Sequence, residues 1–528
     1  MTETTRLPSP GAAGQGPDYR PLLHYTAADT WLNDPNGLVY DDGTYHLFYQ
    51  NNPYANVWGN MSWGHATSTD LLAWTEHPIA ITCDDREDVF SGSIVVDHLN
   101  TSGFGSAECP PWVAVYTSAF KEPSVHRGTQ AQSLAYSLDR GMTWTKYAGN
   151  PVLTRHSADF RDPKVFWYSG PAGSHWVMAA VEARQNMVVF YGSGDLREWT
   201  LLSEFGPAHA SGGEWECPDL FPLPVDNDPT RAKWVLTVNI NPGAVAGGSG
   251  GQYFIGEFDG VRFRPDALDP EPGDDEGTGS QGQANPLRRY QWMDWGRDYY
   301  AAVSFSNVPD NRRVMIGWMN NWDYANQIPT APWRSAMTLA RDVSLVTIEG
   351  KPTLVQRPVL PPLPPQEPLF QLDNVELTDD RLELPDAPPG CAQIIRAQFR
   401  PGSAGRIGFV LRGSASGEGE ERSGHGRTRG TVLAYDIPSG ELVLDRRHSG
   451  DTGFHPLFAS AESCPVRLRD GVLTLEIIVD RSSVEVFAQH GEATITDLIF
   501  PDPRDGALAV FAENGKATLV SLEVRTIG

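Results

Sequence analysis

The stretch Ser-Thr-Asp-Leu-Leu-Ala-Trp-Thr at residues 68–75 indicates the fold of the first part of the chain, because similar stretches repeat along it. The copies are SLDRGMTWT at residues 137–145, SGDLREWT at residues 193–200 and a weaker EFDGVRF at residues 257–263. The aromatic residues that close these units lie 70, 55 and 64 positions apart: Trp74, Trp144, Trp199 and Phe263. This spacing suits four-stranded blades with generous loops and predicts a β-propeller. A coincidental turn motif in a β-sandwich is the alternative.

Short runs of β-forming residues surround the repeat. Residues 37–49 read GLVYDDGTYHLFY, in which two such runs flank a tight Asp-Asp-Gly turn, as in a β-hairpin. Helical periodicity is nearly absent, so we predict an all-β chain. Dividing residues 22–355 by roughly 65 residues per blade gives about five blades. The sequence therefore predicts a five-bladed β-propeller over residues 22–357.

A second domain is predicted after the propeller. Residues 358–368, PVLPPLPPQEP, cannot form a helix or a central strand and are interpreted as a stiff Pro-rich linker. Alternating apolar and polar residues then return, as in LTLEIIV at residues 473–479, which is typical of half-buried antiparallel strands. We predict a C-terminal β-sandwich over residues 369–528 and a flexible N-terminal segment over residues 1–21.

Composition excludes several classes of protein. Asp and Glu total 66 against 41 Lys and Arg, a formal net charge of −25 at pH 7, and such a surface repels nucleic acid. No run approaches the ~18 apolar residues of a membrane span. Five widely spaced cysteines without a CxxC pair predict neither a disulfide scaffold nor a zinc site. We expect no metal, no cofactor, no nucleic-acid partner and no membrane partner.

The N-terminal residues bear on the compartment. Residues 1–20, MTETTRLPSPGAAGQGPDYR, lack the apolar core of a secretory signal. We therefore expect a cytoplasmic protein, or an extracellular one whose signal has been removed. The oligomeric state stays open.

Acidic residues beside a proline stand out in three stretches: WLNDPNG at residues 31–37, FRDPKV at residues 160–165 and EWECPDLF at residues 214–221. The inner strands of a propeller converge on a central channel, so acids from different blades can meet there. Glycosidic cleavage needs a pair of carboxyl groups, one as nucleophile and one as general acid. Ordinary turn chemistry of Asp-Pro and Asn-Gly pairs is the alternative.

A family resemblance separates these alternatives. WLNDPNG resembles the WMNDPNG signature of glycoside hydrolase family 32, with Leu32 in place of Met. Further stretches are similar to motifs of that family in the same order: Trp63-Gly64-His65, Phe90-Ser91-Gly92-Ser93, RDPK at residues 161–164, ECP at residues 216–218, WGRDYYA at residues 295–301 and DRSSVEVF at residues 480–487. The family's fold, a five-bladed propeller followed by a β-sandwich, agrees with the count from the repeat.

The resemblance implies roles for the matching positions. Asp34 is expected to be the nucleophile, Glu216 the general acid and base, and Asp162 the stabiliser of the transition state. Positions that match the fructose pocket of the family are Asn33, Gln50, Trp58, Phe90, Ser91, Arg161 and Trp333. For Trp58 and Trp333, core packing is the alternative. Glu214 competes with Glu216 because strand alternation points both side chains to one sheet face, but the Glu-Cys-Pro match begins at Glu216.

Within the family, the chain looks most like exo-acting levanases and exo-inulinases. The resemblance implies release of fructose from inulin, levan or both, and from sucrose. An invertase and a fructosyltransferase with the same nucleophile are the alternatives. A fructan-binding module without activity would lack one of the acids, and all three are present. Preference for β-2,1 or β-2,6 linkages stays open, and the C-terminal domain is expected to support the propeller rather than bind sugar.

Overall fold

The computed structural model describes residues 18–527, except residues 172, 269–284, 363–366, 386, 389 and 414–428. The regular secondary structure of the described chain is almost wholly strand, which confirms the predicted all-β class. Its helical elements are four 3-10 turns, at Ala183–Gln185, Pro286–Arg289, Ala325–Gln327 and Gln489–Gly491. No helix among these residues is long and apolar enough to cross a membrane. Much of the predicted N-terminal segment and of the predicted linker lies outside the described residues, so their limits stay predictions.

Five antiparallel blades of four strands form the first part of the chain. Blade 1 contains β1 (Trp31–Asp41), β2 (Thr44–Asn52), β3 (Ser62–Ser68) and β4 (Thr75–Ile81). Blade 2 contains β5 (Glu87–Val96), β6 (Trp112–Phe120), β7 (Gln130–Ser137) and β8 (Thr145–Lys146), with β9 (Leu153–Thr154) also paired to β7. Blade 3 contains β10 (Phe160–Gly170), β11 (Gly173–Glu182), β12 (Met187–Ser193) and β13 (Thr200–Phe205).

The last two blades follow the same up-and-down order. Blade 4 contains β14 (Glu214–Val225), β15 (Asp228–Asn241), β16 (Gly250–Phe258) and β17 (Phe263–Pro265). Blade 5 contains β18 (Tyr300–Ser304), β19 (Arg313–Met319), β21 (Arg341–Ile348) and β22 (Lys351–Pro358), with the short β20 (Ala336–Met337) beside β19.

The first strands of the five blades form a closed ring, in the order β1, β5, β10, β14, β18 and back to β1. Backbone hydrogen bonds join the last blade to the first: Tyr40 N–H donates to Ser306 C=O, and Ser306 N–H donates to Leu38 C=O, both at 2.9 Å. Closing the ring in this way protects the edges of the inner strands. The beginnings of all five inner strands therefore meet around one axis.

The repeated sequence unit is the turn between the third and fourth strands of a blade. In its first copy, the Ser68 hydroxyl donates to the Asp70 carboxylate at 3.0 Å and accepts from the Leu71 N–H at 2.8 Å. Local bonds of this kind hold a turn without help from the rest of the fold. Corresponding turns follow at residues 138–144, 194–199 and 259–262. Blade 5 has no copy because only Glu349 and Gly350 separate β21 from β22.

The second domain is a sandwich of ten strands: β23 (Phe370–Leu384), β24 (Ala392–Arg400), β25 (Arg406–Gly413), β26 (Thr431–Asp436), β27 (Glu441–Asp445), β28 (Ala461–Pro465), β29 (Leu473–Val479), β30 (Ser483–Ala488), β31 (Ala493–Leu498) and β32 (Ala507–Ile527). The long β32 pairs first with β25 and then with β24, so it passes from one sheet into the other. Side chains such as Ile395, Phe409 and Ile477 fill the core between the sheets.

Buried ion pairs join the two domains. Arg341 of β21 has a fully buried side chain that lies 2.9 Å from Asp294 and 2.6 Å from Glu485 of the sandwich. His24 lies between Glu485 and Asp480, at 2.9 and 2.8 Å. Burial opposes the charge on His24, but both carboxylates outweigh it and raise its pKa to about 9. The interface therefore pairs two cations with three carboxylates away from water.

The backbones of the two domains also come close to each other. A Cβ atom on Gly296 would lie 2.2 Å from the carbonyl oxygen of Thr496, so only glycine fits at this point of the WGRDYYA stretch. Nearby, Arg446 of the sandwich lies 2.6 Å from Asp298 and donates to the hydroxyl of Tyr324 at 2.8 Å. The interface thus fixes the segment that leads into β18, the inner strand of blade 5.

Candidate active site

Each of the five inner strands carries an irregularity near its beginning, where it loses register with its neighbour. The shifts lie at residues 32–35 of β1, 90–92 of β5, 161–164 of β10, 216–219 of β14 and 300–303 of β18. A β-bulge adds a residue to one strand and re-aims its side chains. In three of these strands the bulge contains a proline, at Pro35, Pro163 and Pro218. Proline suits the position because it has no N–H to offer to the ladder.

The residue before each of these prolines points to the axis of the ring. These residues are Asp34, Asp162 and Cys217, and the Cys217 Sγ lies 3.6 Å from Asp34 Oδ2 and 3.7 Å from Asp162 Oδ2. Asp162 and Cys217 have positive φ values of 61° and 44°. Such left-handed backbone is costly for residues other than glycine and is concentrated at functional sites. The bulges thus bring residues from three distant stretches of sequence into contact.

Asp34 is held by two hydrogen bonds in addition to that of the Cys217 thiol. The Ser91 hydroxyl donates to its Oδ2 at 2.7 Å, and the Asn33 amide donates to its Oδ1 at 3.1 Å. Asn33 is fixed in turn by the Trp31 indole N–H, which donates to Asn33 Oδ1 at 2.7 Å. Burial and the charge of Glu216 raise the pKa of Asp34 to about 6, although the hydrogen bonds from Ser91, Asn33 and Cys217 lower it. Asp34 is therefore an oriented carboxylate at neutral pH.

Asp162 lies deeper than Asp34. Its Oδ2 accepts the Cys217 N–H at 2.9 Å, and its own N–H donates to the Thr117 hydroxyl at 3.0 Å. Burial raises the pKa of Asp162, the Arg161 guanidinium lowers it, and the Glu216 and Asp34 carboxylates raise it again, so that the net pKa lies above the usual value. Asp162 is thus buried, and its side chain contacts Cys217 and lies 3.9 Å from Arg161.

Glu216 is held from two sides. Arg161 donates to its Oε1 from Nη2 at 3.1 Å and from Nε at 3.2 Å. The hydroxyl of Tyr300, at the beginning of β18, donates to its Oε2. Burial raises the pKa of Tyr300 well above its usual value, so the phenol keeps the proton that makes this bond. Both carboxylate oxygens of Glu216 thus have fixed positions beside the acids of blades 1 and 3.

Glu214 has a different environment. It accepts hydrogen bonds from Arg161 at 2.5 Å and from Arg184 at 2.9 Å. Burial alone would raise its pKa, but the bonds to Arg184 and Arg161 outweigh burial and lower it. Glu214 therefore stays ionised at neutral pH and has no proton to give. The choice of Glu216 as the acid rests on the ECP match and stays a prediction.

The residues predicted to contact a sugar fall into a buried group and a rim group. Asn33, Gln50 and Ser91 are buried beneath the acids, and the Gln50 amide donates to Val89 C=O at 3.0 Å. Phe90 is half-buried, and Trp58 is 45% exposed with its ring 6.2 Å from the Phe90 ring. Trp58 therefore does not fill the core, and the rim position suits sugar contact.

Trp333 is placed differently from Trp58. It is 5% exposed and belongs to a buried cluster that includes Met319 and Tyr324. The Arg20 guanidinium lies 5.2 Å from its ring centre. The structure thus gives Trp333 a packing role, and its predicted contact with sugar stays a prediction.

Sequence reasoning assigned no role to Cys217 or Tyr300. Both lie in stretches that resemble family motifs, ECP and WGRDYYA, so the motifs pointed to the right places. A comparison of the blades could have found Cys217, because it directly precedes a proline, as Asp34 and Asp162 do. Among the described residues, no group of three or more His, Cys, Asp or Glu side chains is arranged to hold a metal ion. Independence from metals and cofactors stays a prediction.

Two family profiles together match nearly the whole chain. The profile described as "Glycosyl hydrolases family 32 N-terminal domain" matches residues 24–358, and that described as "Glycosyl hydrolases family 32 C terminal" matches residues 371–526. The levanase of Bacillus subtilis is 43% identical over 517 residues, which cover 97% of this chain and 70% of the levanase. An extracellular exo-inulinase of Aspergillus awamori is 41% identical over 526 residues, 95% of this chain and 93% of the inulinase.

Solved structures show the same likeness. The crystal structure of the Aspergillus awamori exo-inulinase has a TM-score of 0.86 and 40% identity, and the match covers 97% of this chain and 98% of that chain. A β-fructofuranosidase of Schwanniomyces occidentalis, complexed with fructosyl-erythritol, has a TM-score of 0.81 and 32% identity, covering 96% and 97% of the two chains.

Proposed function

This chain is a member of glycoside hydrolase family 32, and from that premise we propose that it removes terminal non-reducing β-D-fructofuranosyl residues from fructans. It is a glycoside hydrolase, and its relatives are named levanase, exo-inulinase and β-fructofuranosidase. The observation that carries the proposal is the convergence of Asp34, Asp162 and Glu216 at the axis of the propeller. Levan and inulin are both proposed as substrates, with sucrose as a further one.

In the first step, Asp34 attacks the anomeric carbon C2 of the terminal fructosyl unit. The bond from C2 to the leaving oxygen breaks, and Glu216 transfers its proton to that oxygen. Ser91 and Asn33 orient the Asp34 carboxylate for this attack. The product of the step is a fructosyl ester on Asp34 and a shortened chain.

In the second step, a water molecule attacks C2 and gives its proton to Glu216. The bond between C2 and Asp34 breaks, so fructose leaves and both residues return to their starting forms. Two displacements at C2 leave the anomeric configuration unchanged. We infer that Asp162 binds fructose hydroxyls and that its negative charge favours the oxocarbenium-like transition state. Arg161 is proposed to contact the substrate and to hold Glu216 in place.

The shape of the site supports removal of chain ends. Asp162 and Cys217 are buried, whereas Trp58 is exposed. We propose that a fructosyl unit enters from the side of Trp58 and reaches the acids as the end of a chain. A Trp side chain at the rim also offers a flat apolar surface to a sugar.

Sugar chromatography tests the substrate assignment. The protein is incubated with inulin, levan and sucrose, and Asp34→Asn serves as the inactive control. Free fructose alone from the polymers supports exo-hydrolysis. A ladder of oligomers would indicate endo action, longer products or anhydrides would indicate a fructosyltransferase, and cleavage of sucrose alone would indicate an invertase.

A further inference from the structure

Arg161 contacts two glutamates of β14, and only one of them belongs to the proposed chemistry. Its Nη2 donates to Glu214 Oε2 at 2.5 Å and to Glu216 Oε1 at 3.1 Å. Arg161 is nearly buried, with 8% of its side chain exposed, so few water molecules compete for its charge. The charge of one guanidinium is therefore divided between an acid that reacts and an acid that does not.

A second arginine contacts Glu214 from the solvent side. Arg184, in the 3-10 turn between β11 and β12, donates from Nε to Glu214 Oε1 at 2.9 Å. Asp159 lies 3.4 Å from the same Arg184 nitrogen and 4.0 Å from Arg161 Nη1. The side chains of Arg184, Glu214 and Arg161 are 70%, 35% and 8% exposed. Charges of alternating sign thus run from the solvent to Glu216.

We propose that Glu214 and Arg184 are positioning residues that set the pH range over which Glu216 keeps its proton. The inference rests on the acid and base role proposed for Glu216. Glu214 draws part of the Arg161 charge away from Glu216 and repels a second negative charge nearby, so it favours protonated Glu216. Arg184 neutralises Glu214 and has the opposite effect.

Other charged and titratable groups also face Glu216. They are Asp34 and Asp162 from blades 1 and 3, Tyr300 from blade 5 and the Cys217 thiol beside it. The hydrogen bonds and ion pairs described for Glu214 and Arg184 join them to each other, to Arg161 and to Asp159, and to none of this inner set. Changes at Glu214 and Arg184 therefore remove no direct contact of this inner set, and they reach Asp162 only through Arg161, whose Nε lies 3.9 Å from Asp162 Oδ2.

The pH dependence of kcat/KM on inulin tests the inference through two changes of opposite sign. Glu214→Gln removes one of the carboxylates that share the Arg161 charge, so more of that charge acts on Glu216 and the alkaline limb of the profile should move to lower pH. Arg184→Gln leaves Glu214 unneutralised, so the limb should move to higher pH. We expect shifts of about 0.5 pH unit, below those of a fully buried contact because both residues are partly exposed. Such a shift changes kcat/KM about threefold on the alkaline side.

The double variant Glu214→Gln/Arg184→Gln is the matched control, and its limb should lie between those of the single variants. Limbs that coincide with wild type, or that move in the same direction in both single variants, would overturn the inference. Glu216→Gln separates this failure from that of the proposed function. If Glu216→Gln keeps the alkaline limb of wild type, the limb belongs to another group and the proposed acid is wrong, whatever Glu214 and Arg184 do.

Discussion

At the scale of single residues, two glutamates on one strand have different properties because different groups contact them. Glu214 accepts bonds from two arginines and stays ionised. Glu216 shares one of those arginines and also accepts a bond from the phenol of Tyr300. Residues two positions apart on a strand point to the same face of the sheet, but different side chains surround them. Chemical role therefore follows from the partners of each carboxyl group.

Replacing Glu216 by Gln should separate the two steps of the reaction. The loss of the proton donor typically costs 10²–10⁴-fold in rate on inulin or sucrose. An aryl fructoside needs little protonation of its leaving group, so formation of the fructosyl ester should suffer much less. Azide needs no general base, so it should restore turnover and give fructosyl azide. Stopped assays of aryl release, with azide added, measure both effects.

Glu214→Gln is the matched control for this experiment because it removes a neighbouring carboxylate from the same strand. At a pH below the alkaline limb, its ratio of aryl fructoside to inulin activity should stay near that of wild type. Asp34→Asn should show no azide rescue, because no ester can form. Azide rescue of Glu214→Gln without rescue of Glu216→Gln would reverse the assignment.

The sequence pointed to three acids that the structure brings to one place, but not to the groups that contact them. Asp34, Asp162 and Glu216 were found because each lies in a short motif beside a proline. Arg184 and Tyr300 were not found, since their contacts join positions 30 and 84 residues from Glu214 and Glu216. No periodicity along the chain reports such contacts. They follow from the closure of the blades around the axis.

Among the elements of the fold, most of the repeated turns could be predicted from the sequence, whereas only some of the bulges in the inner strands could. The turns of blades 1 to 3 use local Ser and Asp hydrogen bonds and that of blade 4 uses Asp259, so they leave a recognisable repeat. The turn of blade 5 is two residues long and leaves none. The bulges of β5 and β18 contain no proline and could not be predicted, although they lie at the same level as the other three.

A column of histidines in blade 1 makes one element sensitive to acid. His46 Nδ1 lies 3.1 Å from His65 Nε2, and the His65 ring lies 4.7 Å from that of His77. Burial and the neighbouring imidazoles lower the pKa of His46 to about 4 and that of His65 to about 2. The column is therefore neutral in the folded protein at every pH at which the enzyme is expected to work.

Acid should destabilise this column. An unfolded histidine binds a proton below its ordinary pKa of about 6.5, whereas folded His65 does not, so stability is present above pH 6.5 and is lost as pH falls. His65→Gln removes the part of this acid-induced loss of stability that comes from proton binding at His65. Calorimetry at several values from pH 7 to pH 5 should therefore show that the Tm of wild type falls more steeply than that of His65→Gln. A gap between the two Tm values that stays constant with pH would contradict the account.

At the scale of the whole molecule, the sandwich is joined to the propeller by charges that the sequence did not assign. The stretch DRSSVEVF resembles a family motif, and its Asp480 and Glu485 contact His24 and Arg341 of the first part of the chain. Both domains could be predicted from strand patterns. The pairing of residues more than 140 positions apart could not, because it depends on how the domains dock.

Loss of Arg341 should lower the stability of the protein, because Arg341 joins the propeller to the sandwich. Removal of one partner from a buried ion pair costs about 3–5 kcal/mol, because Asp294 is left without its cationic partner and Glu485 keeps only His24. Arg341→Met should therefore lower the Tm of the whole protein. Arg312→Met is the matched control, since Arg312 pairs with Asp342 at an exposed site where an ion pair contributes about 0–1 kcal/mol. Equal losses of Tm in the two variants would contradict the assignment.

The stereochemistry of fructose transfer shows whether Asp34 forms a covalent fructosyl ester. In the proposed reaction, Glu216 then helps an acceptor to break that ester. The wild-type protein is incubated with inulin in water containing methanol, and NMR identifies the anomer of the methyl fructofuranoside, which does not mutarotate. Two displacements at C2 predict methyl β-D-fructofuranoside as the first product. Methyl α-D-fructofuranoside would show a single displacement and would contradict the account.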